Sequence, residues 1–210
     1  LAEYQTSFHR PGSPCYISRH QQLLTITRSI SSDPRWQYGP ITLLVQTFAQ
    51  PKQRDESIKY LHQAIYIAQL PNSFVAKDIP DLYMRIGVTR VLSGETELAC
   101  KSFDQALKAE KDPNGFHASL VLFWWGNTLN TKGHIPEALQ KLNIALSNTS
   151  ALKPKERKTL LADILQLLAS IDSRYGNGKQ TESLVQRSQD EIRLQRQLHS
   201  EAYPDYYHRL

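Results

Sequence analysis

The chain has 210 residues, 40 % of them hydrophobic, enough for a continuous core and the right length for one domain or a short repeat array. Its net charge of +5 comes from basic and acidic residues interspersed along the whole length, which argues against a nucleic-acid footprint and for solvated helix faces. Two distant cysteines, Cys15 and Cys100, allow one bridge but no disulfide framework, and no apolar run approaches the ~20 residues of a membrane span.

Residues 1–15 are rich in Pro, Gly, Ser and Gln, lack periodicity, and read as an extended lead-in. The first residue is Leu, which suggests an excised domain or a processed product from which a targeting segment could have been removed. With no signal peptide visible, a cytoplasmic location is favoured. Tyr16 to Ile30 carries Ile17, Leu23, Leu24, Ile26 and Ile30 and predicts a helix, ended by Ser31–Ser32–Asp33–Pro34 because Pro disfavours helix in the residue before it. Arg35 to Pro40 reads as a turn in which Trp36 and Tyr38 are candidates for burial.

From Pro40 the pattern becomes regular. Helices are predicted over 40–50, 55–69, 81–92, 95–111, 116–131, 136–146, 154–175 and 179–199. Pro51–Lys52–Gln53, Pro71–Asn72–Ser73, Ser93–Gly94, Asp112–Pro113–Asn114–Gly115, Lys132–Gly133–His134 and Gly176–Asn177–Gly178 punctuate them. Asp55 is placed to serve the free N–H groups of a first turn. The best-formed pair is Phe116 to Ala145, two amphipathic runs broken at Lys132–Gly133–His134 with Pro136 in the next first turn.

That pair repeats. Gly126, Gly133, Ala138, Leu142 and Ala145 become Gly87, Gly94, Ala99, Phe103 and Ala106 on moving back 39 residues, each keeping its size class. A looser match continues to Val45, Ser57, Leu61 and Ala64 on one side and to Ala169, Gly176, Thr181, Val185 and Ser188 on the other. A small residue on each helix lets two backbones approach, a large one fills the groove beside the crossing, and Gly at the break supplies a left-handed conformation.

With Tyr83, Ile86, Leu122 and Trp125 added, this pattern resembles the tetratricopeptide repeat, a helix–turn–helix of about 34 residues. The resemblance covers about Pro40–His199 and is strongest in the two central repeats. It implies an all-α, right-handed superhelical array of antiparallel helix hairpins, a TPR-like α-solenoid of about four hairpins plus an N-terminal helix. The hairpins are placed at about 40–77, 80–112, 116–150 and 154–199, after an N-terminal segment 1–39 and before an aromatic tail 200–210. Spacings of 39, 42 and 43 residues exceed the family norm, and Arg90 stands where the family has a tyrosine in the second repeat. Trp125 is expected between the paired helices and Gly126 at their close contact.

Nothing in the sequence assembles a catalytic set. The seven histidines (His9, His20, His62, His117, His134, His199, His208) lie on different elements without metal-ligand spacing. Cys100 reads as a small buried hydrophobe, and Gly176–Asn177–Gly178–Lys179 lacks phosphate-loop spacing. No metal and no cofactor is expected. Asn148–Thr149–Ser150 matches a glycosylation acceptor.

What remains is binding. The family resemblance implies that the first helix of each hairpin lines a concave groove, held here by Thr42 and Gln46, by Asp81, Met84, Arg85, Val88, Val91 and Leu92, by Leu120, Phe123, Trp124, Asn127, Asn130 and Thr131, and by Asp163, Gln166, Ser170, Ser173 and Arg174. Apolar anchors flanked by amides suit an extended peptide or a partner helix. The same Met84, Val88, Leu92 and Phe123 also read as core side chains covered by another part of the chain. The carboxylate clamp with which some family members hold chaperone tails is not expected, because Arg85 is the one basic residue among the corresponding slots Thr42, Gln46, Arg85, Leu120 and Trp124.

Lys153, Lys155, Arg157 and Lys158 form one local basic cluster, and Leu184, Ser188, Ile192 and Leu198 mark a last helix that serves as a solubilising cap or a homodimer surface. Tyr203, Tyr206 and Tyr207 could dock back on that cap or on a partner. The function expected is a non-catalytic scaffold or adaptor binding another protein. The alternative is a ligand-sensing regulatory domain of a larger, transcription-regulating protein.

Overall fold

The computed structural model describes residues 14–47, 53–176 and 180–202. Nine α-helices occur among them: α1 (Pro14–Ile30), α2 (Tyr38–Thr47), α3 (Arg54–Ala68), α4 (Ile79–Leu92), α5 (Thr96–Ala109), α6 (Phe116–Thr131), α7 (Ile135–Asn148), α8 (Pro154–Tyr175) and α9 (Thr181–Ala202). Short 3₁₀ turns at Pro34–Gln37, Ala76–Asp78 and Thr149–Ala151 join some of them, and no strand is present among the described residues. The lead-in over 1–13, the break at Pro51–Lys52, Asn177–Gly178 and the aromatic tail with Tyr203, Tyr206 and Tyr207 lie outside the described residues. So do the side chains of Cys15, Gln46, Lys155, Lys158 and Leu198.

The chain divides between Ala109 and Glu110 into two compact units. In the first, α1 packs on α2, and α2–α3 and α4–α5 form hairpins joined through α3–α4 contact. Its core gathers Leu24, Ile41, Leu44, Leu61, Ile65 and Ile86. In the second, α6–α7 and α8–α9 are the hairpins, with α8 packed on both α6 and α7. Val121, Leu142, Ile164 and Leu165 are fully buried there.

The hairpin crossings explain the repeated small residues. A Cβ built on Gly87 would lie 2.5 Å from the ring of Phe103, itself wholly buried. One on Gly126 would lie 2.7 Å from Cγ of Leu142 and 3.2 Å from the backbone oxygen of Ala138. The two contacts are the same contact in successive hairpins, and only a missing side chain permits either. Ser57, Leu61 and Ala64 on α3 are likewise buried.

The turns between helices repeat too. Gly94 and Gly133 both sit at φ 82°. In each case the next residue's N–H donates back to the first residue of the last helical turn, Glu95 N to Arg90 O at 2.9 Å and His134 N to Leu129 O at 3.0 Å. This Schellman arrangement satisfies carbonyls that the helix end would leave open.

Asp55 lies in the first turn of α3 as expected, with Glu56 beside it and Gln53 at the cap position. Several expectations change. Gly176 adopts extended backbone (φ −88°, ψ −169°) rather than a left-handed turn. Asp172 instead closes that corner, accepting Gln180 N–H at 3.1 Å and the Thr181 hydroxyl at 2.7 Å. Val185 is 38 % exposed, unlike Phe103 and Leu142 at the matching positions, whereas Ser188 is buried and donates to Ala162 O across α8–α9. Trp36 is 68 % exposed and Tyr38 half-buried, because the 3₁₀ turn carries Trp36 outward while Tyr38 opens α2. Asn148 is buried and its amide donates to Pro113 O at 3.4 Å, a packing that leaves no room for a glycan on that side chain.

Candidate functional site

In the first unit a cavity of about 320 Å³ opens between α2 and α4, the first helices of two successive hairpins. Leu61, Leu82 and Val45 supply its apolar lining, and Tyr38, Thr42, Asp78, Asp81 and Arg85 its polar side chains. Leu61 is fully buried, so α3 forms part of the cavity's base. Asp78 and Asp81 are brought here by the 3₁₀ turn at Ala76–Asp78 and by Pro80, buried in the first turn of α4. Asp81 lies one helical turn before Arg85, and the two pair with Arg85 Nε 2.6 Å from Asp81 Oδ2. The Tyr38 hydroxyl donates to Asp78 Oδ2 at 2.8 Å. Burial, then the bond to Asp78, then the charges of Asp78 and Asp81 push the ionisation of Tyr38 well above its usual value, so it stays a neutral donor.

Of the residues expected to face a groove, Arg85 is exposed and lines this cavity with Thr42 and Asp81. Met84, its neighbour on the helix, points the other way and is only 8 % exposed, so little of it is left for a partner. Val88 is half-buried. Tyr38 and Asp78 join this lining without any signal in the sequence, because they stand 40 positions apart and no local pattern links them.

In the second unit, Phe123 and Trp124 are half-buried and meet edge to face, ring centres 5.8 Å apart at 66°. Asn127 and Asn130 are half-buried, Gln166 is exposed, and the Asn130 side-chain oxygen is buried without a hydrogen-bond partner among the described residues. Burial raises the Asp163 carboxyl above its ordinary value. Trp125 is only half-buried, and Lys141 Nζ lies 3.9 Å from its ring centre, a cation–π contact at the edge of the α6–α7 crossing. A separate cavity of about 430 Å³ lies among α7, α8 and α9, walled by Ile135, Leu139, Leu168, Ile171 and Leu184 with Asn143, Asp172 and Arg187 at its polar positions.

Arg90 links the two helices of its hairpin. Its Nη1 donates to Leu98 O at 3.1 Å and to Ser102 Oγ at 2.9 Å, stitching α4 to α5. Arg54 from α3 donates to Leu92 O at the end of α4. Cys100 is half-buried rather than enclosed. Among the described residues no group of three or more His, Cys, Asp or Glu is placed to hold a metal ion, and no helix is long and apolar enough to cross a membrane.

No family model matches the chain, and no curated protein sequence matches it. Among solved structures the chain is similar to the crystal structure of MamA, at 12 % identity, over 86 % of this chain and 89 % of that one, with a TM-score of 0.61. At that identity the likeness speaks for the fold alone. Together with the hairpins and their repeated glycine contacts, it makes this chain an all-α, tetratricopeptide-like array of helical hairpins.

Proposed function

We propose that the chain is a non-catalytic scaffold that binds a segment of another protein along the first helices of its hairpins. The observation that carries this reading is the cavity between α2 and α4. It places an apolar floor beneath a hydroxyl, a phenol, two carboxylates and a guanidinium, which is the mixture of anchor and orienting group that peptide recognition uses. The half-buried Phe123–Trp124 pair and Asn127 on α6 offer the same mixture in the second unit. The fold, similar to that of MamA, supports the reading at the level of architecture.

The test is site-specific photo-crosslinking in native cells. A benzophenone amino acid replaces Thr42 or Asn127 on first helices, and Gln105 or Gln140, both exposed, on second helices. The expected result is a discrete partner adduct from the first pair and none from the second. Equal capture from all four positions would remove the first-helix face from the account.

A further inference from the structure

A second space, of about 500 Å³, adjoins the first-unit cavity and shares Tyr38 with it. Trp36 and Phe74, with Gly39, Asp33 and Arg35, complete its lining. Trp36 is 68 % exposed and Phe74 72 %, one from each of two different connections, so two large aromatic faces stand in water around a single opening. Gly39 adds no side chain to this lining, and a Cβ built on it would meet nothing within 4 Å. Aromatic side chains held this way are the commonest anchors of protein interfaces, since they bury a large area at small cost in side-chain entropy.

Charge then distinguishes the two halves. Asp33 is pinned by Arg35, whose Nε reaches both carboxylate oxygens at 3.0 and 2.8 Å. Asp81 is paired with Arg85. The remaining lining carboxylate, Asp78, accepts the neutral Tyr38 hydroxyl. Three carboxylates against two guanidiniums leave the joined lining one negative charge in excess, located beside the aromatic half. That sign disfavours phosphate, nucleic acid and anionic headgroups and favours a cation.

We propose that this two-part cleft takes an extended segment of a partner protein that presents a bulky apolar or aromatic side chain to Trp36 and Phe74 and a Lys or Arg side chain to Asp78. The proposal rests on the partner-binding reading above and names the chemistry of the partner. Because the halves meet at one residue, Tyr38, and side chains two apart in an extended chain share a face about 7 Å apart, the apolar and basic residues fall within about three positions of each other.

The experiment pans a random-peptide phage library against the full chain and measures the strongest synthetic peptide by fluorescence anisotropy. Enriched peptides are expected to carry an aromatic or large aliphatic residue within about three positions of Lys or Arg. Affinity is expected to fall about tenfold or more in Trp36→Ala, in Phe74→Ala and in Asp78→Asn, with circular dichroism unchanged because both aromatics are exposed and the asparagine keeps the acceptor for Tyr38. Replacing the peptide's basic residue by norleucine is expected to abolish the effect of Asp78→Asn. If binding survives these variants but is lost in Phe123→Ala, the partner-binding reading stands and the two-part cleft is wrong. Enrichment of acidic peptides would also overturn the cleft. If no peptide is enriched, both readings fall.

Discussion

Gly87 and Gly126 are where single atoms decide the packing. Replacing Gly by Ala inside a helix ordinarily stabilises it by about 0.5–1 kcal/mol. Here the added methyl meets the Phe103 ring at one site, and Leu142 with the Ala138 carbonyl at the other. Overpacking of this kind costs about 1–3 kcal/mol, so each variant is expected to lose stability in urea unfolding. The two sites differ in a way that checks the cause. At Gly87 the three nearest atoms all belong to one side chain, so Phe103→Leu is expected to recover part of the loss in Gly87→Ala. At Gly126 a backbone oxygen stands behind Leu142, so Leu142→Ala is expected to recover less. Gly39→Ala, in the first turn of α2 and meeting open space, is expected to lose no stability and to gain up to about 1 kcal/mol. These glycines could be singled out in the sequence because they recur at a fixed distance. Tyr38 and Asp78 could not, because their pairing exists only once α2 has packed beside the connection before α4.

Helices pair through a few cross-links, and Arg90 is the clearest. It bonds to Leu98 O and Ser102 Oγ on α5, and its charge, after burial, is the second cause holding His62 below its usual value. Arg90→Ala is expected to cost about 1–3 kcal/mol, since it strips a charged donor from two acceptors of which the Ser102 hydroxyl is buried. The same variant carries a second readout. His62 has a depressed value in the folded state, so the fold is unpenalised above the ordinary histidine range and loses stability as pH falls through it. Without the Arg90 guanidinium the His62 NMR titration is expected to move upward but to stop short of the ordinary value, because burial is the larger cause. A titration unmoved by Arg90→Ala would show that the two groups do not feel each other. At this scale most of the molecule was legible: apolar periodicity and Gly or Pro punctuation are local, and helix boundaries fell within a few residues of their expected places. What escaped was facing. Trp36 was expected inside and lies outside, because nothing local to a 3₁₀ turn states which side meets water. Val185 was aligned with Leu142 and is exposed, although Ser188, aligned with Ala145 on the same helix, is buried.

Each of the two units is built from paired hairpins, and within a unit each element draws its stability from its neighbours. A purely sequential stack would unfold by fraying, whereas one cooperative block would lose protection everywhere at once. The contacts favour something between these limits. α4 is tied to α3 and α5 inside the first unit, and α8 to α6, α7 and α9 inside the second. A lesion at one crossing therefore has its largest effect on the helices of its own unit. Gly126→Ala loosens the α6–α7 crossing directly, and α8 rests on both of those helices. Hydrogen exchange measured by mass spectrometry is expected to show protection falling across α6 to α9, while α2 to α5 keep wild-type rates. Gly87→Ala is expected to give the mirror result, with α2 to α5 losing protection and the later helices retaining theirs. The two variants serve as each other's control, since they place the same methyl in the same contact of successive hairpins. A uniform loss along the whole chain in both variants would mean that the array unfolds as one block and that the division at Ala109 has no energetic counterpart.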